Sequence, residues 1–398
     1  MVTEELRKHL QTYKEELFTH IVPFWEQYSP DYQQGGYFSC LDREGRVFDT
    51  DKFTWMQARA VWTFSELARL FGNRFPEKKE QWIALGRLGA EFLRKYGKSP
   101  EGGYYFALDR EGHPLVVPYN IFSDYFVLAA FCNYYKVTGE KWAYDEVQEL
   151  FPYLQKRKSN PKGRWTKQIP TYRSLLGMNL PMMDLWLYQV LKSVISEAEL
   201  ELLAEKAAHQ IRTLHMDFRN RTVFERVAPD GSHPDCMEGR LLNPGHALET
   251  LWLLLWYGVQ KGREDLVKNA AEGMLWSAER GWDEENGGFF YYQDWKGFPP
   301  EKLEASMKLW WVHVEALCAF LLAWRYTGNP VFKDWFLRTH TYTFSHFPDP
   351  KYGEWFGYLY PTGQPASTLK GGKWKGFFHI PRALMILLQT IEDWEADK

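Results

Sequence analysis

The sequence predicts an all-α fold: a closed barrel of twelve helices in six pairs, with short β-hairpins in the connections on one face. Two observations predict it. A short aromatic unit that ends in a glycine turn recurs along the chain, at intervals of about 59 to 67 residues. Each interval has room for two helices, and its apolar residues are spaced as in helices. A repeat of this kind indicates one architecture rather than separate domains, and six helix pairs close into an (α/α)6 barrel.

The repeated unit is clearest in its first two copies. Residues 35–45 (GGYFSCLDREG) and 102–112 (GGYYFALDREG) alternate aromatic and polar residues and then reach a glycine turn. This is the pattern of a short β-hairpin. Further copies begin at Gly287 and Gly353, a looser copy at Thr222, and the faintest at Gly163. We therefore expect six hairpins.

The apolar spacing between the units predicts the helices themselves. In chain order they cover residues 3–28, 54–71, 78–96, 120–137, 141–156, 175–195, 197–215, 244–261, 263–279, 306–327, 331–344 and 377–395. A hairpin-bearing connection follows each odd-numbered helix, so these connections share one face and lead into the inner helices. An open solenoid would need polar caps at both ends, and the sequence shows none. We predict one domain over residues 1–398.

Composition narrows the function classes. Aromatic residues make up 17% of the chain, with 19 Trp and 23 Tyr. Their flat faces and hydrogen-bonding edges suit sugar rings, although large helical packings also use tryptophan. A formal net charge of −3 gives no basic surface for nucleic acid. No uncharged apolar stretch is long enough to span a membrane.

The cysteines and the N-terminal segment indicate a cytoplasmic protein. The four cysteines are widely spaced and form no CxxC pair, which is typical of reduced thiols. The charged N-terminal segment has no apolar core of the kind that a secretion signal requires. We expect reduced thiols and a cytoplasmic location.

Polar residues at the entries of the inner helices are predicted to share one cavity. His246 follows Pro244-Gly245 at the start of an apolar run, and His379 follows a glycine in a similar segment. Both should lie in the first turn of an inner helix. Because all inner helices start on the hairpin face, their entry residues converge. The converging set comprises Arg59, Asn120, Asn179, His246, His313, Glu315 and His379.

Two histidines and an arginine in one cavity favour proton abstraction beside a carbonyl group. Histidine titrates near neutral pH and can serve as base or acid, and a guanidinium can stabilise an enolate oxygen. One histidine at a helix start is more often a packing residue, but two that face one cavity favour function. Glu249 follows His246 by three residues, within reach of the imidazole. Arg59, inside an apolar helix, must pair with a carboxylate or await an anion.

A carboxylate-based glycoside hydrolase is the alternative, because such enzymes flank the scissile bond with two carboxylates. The residues that could fill those roles are Glu238, Glu249, Glu315 and Asp124. The Lys-rich segment 371–376 lacks the spacing of a phosphate loop, and we interpret it as a turn that positions Trp374 and His379. No HExxH motif or clustered ligand spacing occurs, so we expect no metal.

Long segments distributed along the chain resemble one family. They are GGYFSCLDREGRVFDTDKFTWMQAR (35–59), PYNIFSD (118–124), NPKG (160–163), APDGSHPDCMEGRLLNPGHALE (228–249), KLWWVHVEAL (308–317), and YGEWFGYL with LKGGKWKGFFHIPRAL (352–384). Over essentially its whole length the chain resembles the N-acylglucosamine 2-epimerase family, whose fold is an (α/α)6 barrel.

The resemblance implies reversible inversion at C2 of N-acetylglucosamine, giving N-acetylmannosamine, with no cofactor for the chemistry. One histidine removes the C2 proton of the opened sugar, and a second returns a proton to the opposite face of the enolate. By resemblance this pair is His246 and His379, with Arg59 near the enolate oxygen and Glu249 orienting His246. The residues expected to contact the sugar are Asn120, Asn179, Met183, Trp310, His313, Glu315 and Trp374.

Met183 decides the sub-family within this resemblance. Epimerases of neutral sugars have a histidine at the matching position, and a methionine suits an acetamido methyl better than a hydroxyl. The alternative is an epimerase or aldose–ketose isomerase of neutral sugars such as mannose or cellobiose. The resemblance further implies a homodimer and ATP as an activator that is not consumed. The matching nucleotide residues are Lys158, Asn160, Lys162 and Gly163.

Overall fold

Helices dominate the computed structural model, which describes residues 4–167, 169 and 172–397. In chain order they are α1 (Glu4–Glu15), α2 (Val22–Tyr28), α3 (Thr54–Phe71), α4 (Pro76–Phe92), α5 (Ile121–Thr138), α6 (Lys141–Arg157), α7 (Asn179–Val190), α8 (Glu197–Gln210), α9 (Met237–Arg240), α10 (Pro244–Lys261), α11 (Glu264–Gly281), α12 (Trp310–Thr327), α13 (Pro330–His346) and α14 (His379–Ala396). A π-helical turn joins α1 to α2 without a break, and α9 is a single turn. The predicted all-α class and the twelve long helices are confirmed.

Six helices form an inner ring: α3, α5, α7, α10, α12 and α14, successive members being in contact. The ring closes where the residues just before α14 pack on α3. Thr63 Oγ1 donates to the Phe377 carbonyl at 2.7 Å, and Trp62 packs edge-on against Phe378. The other long helices surround this ring, so an inner helix such as α12 is buried on all sides, as its apolar sequence requires. No helix in the described ranges is long and apolar enough to cross a bilayer.

The strands are short and lie in the connections on the face where the inner helices begin. They are β1 (Cys40–Leu41), β2 (Val47–Asp49), β3 (Lys52–Phe53), β4 (Ala107–Leu108), β5 (Pro114–Val116), β6 (Leu176–Gly177), β7 (Met216–Asp217), β8 (Thr222–Val223), β9 (Arg226–Val227), β10 (Leu241–Leu242), β11 (Gln293–Asp294), β12 (Lys308–Leu309), β13 (Tyr358–Leu359) and β14 (Pro365–Ser367). The hairpins β1–β2, β4–β5 and β13–β14 each have their first strand in a predicted unit and their second strand just after it.

The other three units differ from the predicted hairpins. In the unit at Thr222, β8 pairs back with the preceding strand β7. In the unit at Gly287, β11 pairs with β10 from the previous connection. The unit at Gly163 is a 3-10 turn whose continuation includes residues 168, 170 and 171, outside the described residues.

Strand pairing also moves two helix starts. The helix predicted over 175–195 begins at Asn179, because β6 pairs with β9 just before it. The helix predicted over 306–327 begins at Trp310, because β12 pairs with β13. Backbone bonds to a neighbouring connection therefore outweigh the helical spacing at these ends. The first predicted helix is described from Glu4, since residue 3 lies outside the described residues.

Three of the connections each contain a buried lysine–aspartate ion pair. The pairs are Lys52–Asp31, Lys308–Asp283 and Lys370–Asp349, with Nζ to carboxylate distances of 3.0, 2.8 and 2.9 Å. In each pair the aspartate begins a glycine turn, and the lysine precedes an inner helix. Asp31, for example, also accepts the backbone N–H groups of Gln33 and Gln34. These pairs fix the hairpins relative to the entries of the inner helices.

We expect Lys308→Met to destabilise the protein. Both partners of the Lys308–Asp283 pair are buried, and a buried carboxylate that loses its cation costs about 3–5 kcal/mol. The free energy of unfolding, measured in denaturant, should fall by this amount. Lys302→Met, at an exposed lysine of the same connection, should change it by less than about 0.5 kcal/mol. Equal unfolding free energies for the two variants would contradict the role of the pair.

Candidate active site

The entries of α10 and α14 present the two predicted histidines to each other. Asn243 caps α10 by accepting the backbone N–H of His246 at 3.0 Å, and His379 is the first residue of α14. Trp311, in the first turn of α12, packs against both imidazoles. Its ring centroid is 5.1 Å from that of His246 and 5.7 Å from that of His379. The fold therefore brings the two histidines to one place.

His246 is held by Glu225, a residue that the sequence analysis did not select. Both carboxylate oxygens of Glu225 lie near Nδ1 of His246, at 3.0 and 3.1 Å. A carboxylate only accepts, so Nδ1 carries the hydrogen, and Nε2 has no partner in the described part of the chain. The side chain remains 27% exposed. Burial opposes the charge of the imidazolium, but the nearby carboxylates, Glu225 first and then Glu249 and Glu315, outweigh it and raise the pKa of His246.

Glu249 does not orient His246, contrary to the prediction. It accepts a hydrogen bond from Nη2 of Arg382, and the same nitrogen donates to Glu315 at 2.6 Å. The spacing along α10 does place Glu249 on the side of His246. A fully buried guanidinium nevertheless needs a carboxylate more than a histidine does, so Glu249 is bound to Arg382.

His379 has Glu315 as its partner, with Nδ1 and the carboxylate 2.8 Å apart. Glu315 also accepts from Arg382 and from Nε1 of Trp252, the latter at 2.9 Å, and it is fully buried. The predicted substrate contact of Glu315 is therefore corrected to a contact with His379. Burial, followed by the positive charge of Arg59, holds the pKa of His379 well below its ordinary value.

The two imidazoles consequently prefer opposite protonation states. The Glu225 carboxylate favours a proton on His246, whereas burial and a nearby guanidinium favour the neutral form of His379. Environments that push two pKa values apart are the mark of an acid and a base in one site. The geometry therefore provides one group poised to give a proton and one poised to take it.

Arg59 lies in a box of aromatic rings without a counter-ion. Its guanidinium carbon is 4.7 Å from the ring of Trp55, 4.2 Å from Phe126 and 4.9 Å from Phe378. None of the described carboxylates forms an ion pair with it, and its buried Nε has no partner. Burial, and then the charge of Arg382, lower the pKa of Arg59 to about 9. Of the two situations that the sequence allowed for Arg59, the structure shows the unpaired one, which suits an anionic oxygen.

Two predicted substrate contacts do not face the imidazoles. His313 is fully buried, and both of its ring nitrogens are used by the backbone, at Phe289 N–H and the Leu309 carbonyl. Burial lowers the pKa of His313 to about 3, so its predicted contact with the sugar is wrong. Trp310 is 3% exposed and packs edge-on against Tyr358. Its neighbour Trp311 is the tryptophan that contacts the catalytic candidates.

The other predicted substrate contacts stay predictions. Asn120 caps α5 by accepting from Phe122 N–H at 2.9 Å, and Asn179 is the first residue of α7. Met183 is buried one turn further into α7. Trp374 is 52% exposed and packs edge-on against Trp55, which covers Arg59. Trp374 therefore lies at the rim of the same site.

The predicted nucleotide segment lies at the end of α6. Lys158 is paired with Asp184 at 2.8 Å, whereas Asn160 and Lys162 are exposed. Gly163 adopts a positive φ of 54° at the start of a 3-10 turn. ATP binding here and the homodimer both stay predictions.

The carboxylates do not have the arrangement of a glycoside hydrolase. Ligand oxygens of Glu249 and Glu315 lie within 4.8 Å of each other, closer than the roughly 5–9.5 Å that such enzymes use. Arg382 bridges them and supplies the positive charge at the place where a cation would sit. The other two candidates, Glu238 and Asp124, form salt bridges elsewhere. The four carboxylates that the sequence offered for a hydrolase therefore form no suitable pair.

Three residues of the site escaped the sequence analysis. Arg382 is a charged residue on an apolar helix, which is the signal that selected Arg59, so it could have been found. Trp311 is adjacent to the chosen Trp310, and only the helix rotation separates them. Glu225 lies in a strand-like connection, and no local pattern relates it to His246.

Known proteins match nearly the whole length of the chain. The family described as N-acylglucosamine 2-epimerase (GlcNAc 2-epimerase) matches residues 36–383. The N-acylglucosamine 2-epimerase of Bos taurus is 38% identical over 383 residues, which is 94% of this chain and 89% of the bovine protein. The cellobiose 2-epimerase of Bacteroides fragilis is 23% identical over 95% of this chain and 98% of its own length.

A solved structure shares the fold. The cellobiose 2-epimerase from Bacillus thermoamylovorans superposes with a TM-score of 0.82, covering 96% of this chain and 99% of its own, at 21% identity. At that identity the match supports the barrel alone, and the family follows from the sequence matches. The chain belongs to the N-acylglucosamine 2-epimerase family.

Proposed function

We propose that the protein catalyses the reversible epimerisation of N-acetyl-D-glucosamine and N-acetyl-D-mannosamine at C2. The observation that carries the proposal is the pair of imidazoles with opposite protonation preferences, beside an arginine that lacks a counter-ion. Inversion at carbon requires that a proton leave one face and arrive at the other. Two separate histidines, each with its own carboxylate, satisfy this requirement.

The sugar ring must open before the chemistry begins. A closed pyranose has no carbonyl group, so its C2 proton is not acidic. In the open-chain aldehyde, neutral His379 removes the C2 proton of one epimer, and the electrons move to the aldehyde oxygen. Protonated His246 then gives its proton to the opposite face of C2, which restores the aldehyde. The reverse reaction uses the opposite protonation states of the same two groups.

Arg59 supports the enolate intermediate. The aldehyde oxygen gains negative charge as the C2 proton leaves, and the guanidinium of Arg59 supplies the positive charge that it needs. Fixed charges of this kind act strongly in a site that excludes water, and three aromatic rings shield Arg59. The intermediate thus provides the anion that the buried guanidinium lacks.

The N-acyl substrate class rests on two arguments. Met183 presents an apolar side chain from α7, which suits an acetamido methyl group better than a hydroxyl. The bovine relative named for N-acylglucosamine is 38% identical, whereas the relative named for cellobiose is 23% identical. Both arguments favour N-acetylated sugars over neutral ones.

We expect turnover of both N-acetylated sugars to exceed turnover of glucose, mannose or cellobiose by at least the roughly 10- to 200-fold that a small apolar group provides. Epimer formation in D2O, followed by NMR, measures the rate and the incorporation of deuterium at C2 together. Met183→His should reduce the ratio of turnover on N-acetylated sugars to turnover on neutral sugars. Comparable rates on cellobiose would contradict the N-acyl assignment, and epimer formation without deuterium would contradict proton transfer through solvent-exchanging bases.

A further inference from the structure

Glu225 reaches the site from a fixed connection rather than from a helix entry. It lies between β8 and β9, and its carbonyl accepts the N–H of Met178 at 3.0 Å. The preceding residue, Phe224, exchanges two bonds with His215: its N–H donates to the His215 carbonyl, and its carbonyl accepts from Nδ1, both at 2.9 Å. Phe224 is also fully buried in a small apolar cluster. The carboxylate is therefore held in place before any substrate binds.

The charge of Glu225 is directed at one imidazole. Both of its oxygens face Nδ1 of His246, and none of the described lysines or arginines pairs with it. Glu315, behind the other imidazole, is different, because it also accepts from Arg382 and Trp252. A carboxylate that already neutralises an arginine has less effect on a histidine. The carboxylate of Glu225 therefore stabilises a protonated His246 more than the carboxylate of Glu315 stabilises a protonated His379.

Other ionisable groups face His246, and two of them, Glu249 and Glu315, also raise its pKa, each by less than Glu225 does. In the described residues they are Glu249 on its own helix, Glu315 on α12 and His379 on α14. Arg382 neutralises the first two. Burial favours a neutral imidazole, and Glu225 alone supplies an uncompensated negative charge in direct contact.

We infer that Glu225 is a positioning residue that keeps the proton on His246 in the resting enzyme, with Nε2 directed at the substrate. The inference deepens the proposed function and rests on it. The resting enzyme then holds its single catalytic proton on His246 and none on His379. One epimer reacts directly with this form, and the other reacts with the minor form in which the proton has moved.

The number of protons that the two histidines hold predicts how the rate depends on pH. The two reactive forms carry the same number of protons, so both directions of the reaction share the same two pH limits. The acid limit reflects proton binding to His379, and the alkaline limit reflects proton loss from His246. Because Glu225 raises the pKa of His246, removal of its charge should move only the alkaline limit, and to lower pH.

Glu225→Gln tests this inference, since the amide oxygen can still accept from Nδ1–H but carries no charge. We expect kcat/KM to fall at pH 8 on the order of 10- to 100-fold, as for outer partners of functional histidines. The alkaline limb should move to lower pH while the acid limb stays. NMR titration of 15N-labelled histidine, with His246 assigned from a substituted variant, should show its proton leaving at lower pH.

Two further variants separate charge from position. Glu225→Asp retains the charge on a shorter side chain. The alkaline limit should therefore stay where it is in the wild type, whereas the rate should fall because the carboxylate no longer holds His246 in position. Glu238→Gln removes an exposed carboxylate that pairs with Arg226, and it should change neither the pH limits nor the rate. A wild-type alkaline limb and a wild-type His246 titration in Glu225→Gln would overturn the inference.

The NMR titration needs no substrate, which distinguishes this inference from the proposed function. If the wild-type enzyme failed to epimerise N-acetylglucosamine while His246 still responded to Glu225→Gln, the function would be wrong and the electrostatic role of Glu225 would stand. In the wild-type enzyme itself, His246 should remain protonated at a pH where His379 is neutral. The reverse order would overturn the inference even if the variant failed to fold.

Discussion

His246→Asn and His379→Asn should each lose epimerisation by at least about 10²–10⁴-fold, the contribution of one general acid–base group. Each imidazole is anchored through Nδ1 to its own carboxylate, His246 to Glu225 and His379 to Glu315. In the two-base mechanism each ring keeps this bond and serves one face of the substrate. One histidine therefore cannot replace the other.

Each variant should retain one partial reaction. Removal and return of a proton on one face need only one base, so a variant that keeps one histidine can exchange the C2 proton of one epimer with solvent. The two variants should differ in the epimer that they exchange. The measurement is deuterium incorporation at C2 of N-acetylglucosamine and of N-acetylmannosamine, separately, for each variant in D2O.

A one-base mechanism gives a different result. In that account a single histidine serves both faces while the open chain rotates about the C2–C3 bond. One substitution would then abolish both epimerisation and exchange, and the other would leave epimerisation largely intact. Epimerisation retained in either variant would contradict the two-base mechanism. His209→Asn, at an exposed histidine of the outer ring, is the control and should behave as the wild type.

The barrel and the histidine pair could be predicted because their signals are local. The aromatic units repeat at a near-constant interval, and a glycine before His246 and before His379 marks two helix starts. Once the inner helices were known to begin on one face, the meeting of Arg59, His246 and His379 followed from the topology. No knowledge of side-chain packing was needed for this step.

The partners of these residues could not be predicted, because they depend on contacts between distant segments. Helical spacing predicts Glu249 as the partner of His246. The structure instead gives it to Arg382, because a buried guanidinium requires compensation by carboxylates. Glu225 is 21 residues from His246 along the chain, and it reaches His246 from a connection that is held by the pairing of β9 with β6 and by the bonds of Phe224 to His215. His313 has the composition of a site residue, but its ring nitrogens satisfy backbone groups of a neighbouring connection.

Arg59→Lys should lower kcat/KM on the order of 10²–10³-fold, the effect of removing one group that stabilises a developing oxyanion. Both side chains are cationic, so charge alone predicts little change. The site of Arg59, however, is bounded by the rings of Trp55, Phe126 and Phe378. A planar, weakly hydrated guanidinium stacks in such a box, whereas a compact ammonium does not and cannot present two parallel N–H groups.

Burial of the side chain at position 59 adds to the expected loss of kcat/KM in Arg59→Lys. A lysine without a carboxylate partner in this position would lose its proton far more readily than arginine does, and the neutral amine could not support an enolate. The loss should therefore be greater at high pH than at low pH, in rates measured from pH 6 to 9 for both epimers. Arg69→Lys is the matched control, since Arg69 lies on the same helix but is partly exposed and paired with Glu66, and its activity should not change. A folded Arg59→Lys variant with near-normal kcat would contradict the proposed role of the guanidinium, because a positive charge without the planar shape would then be sufficient.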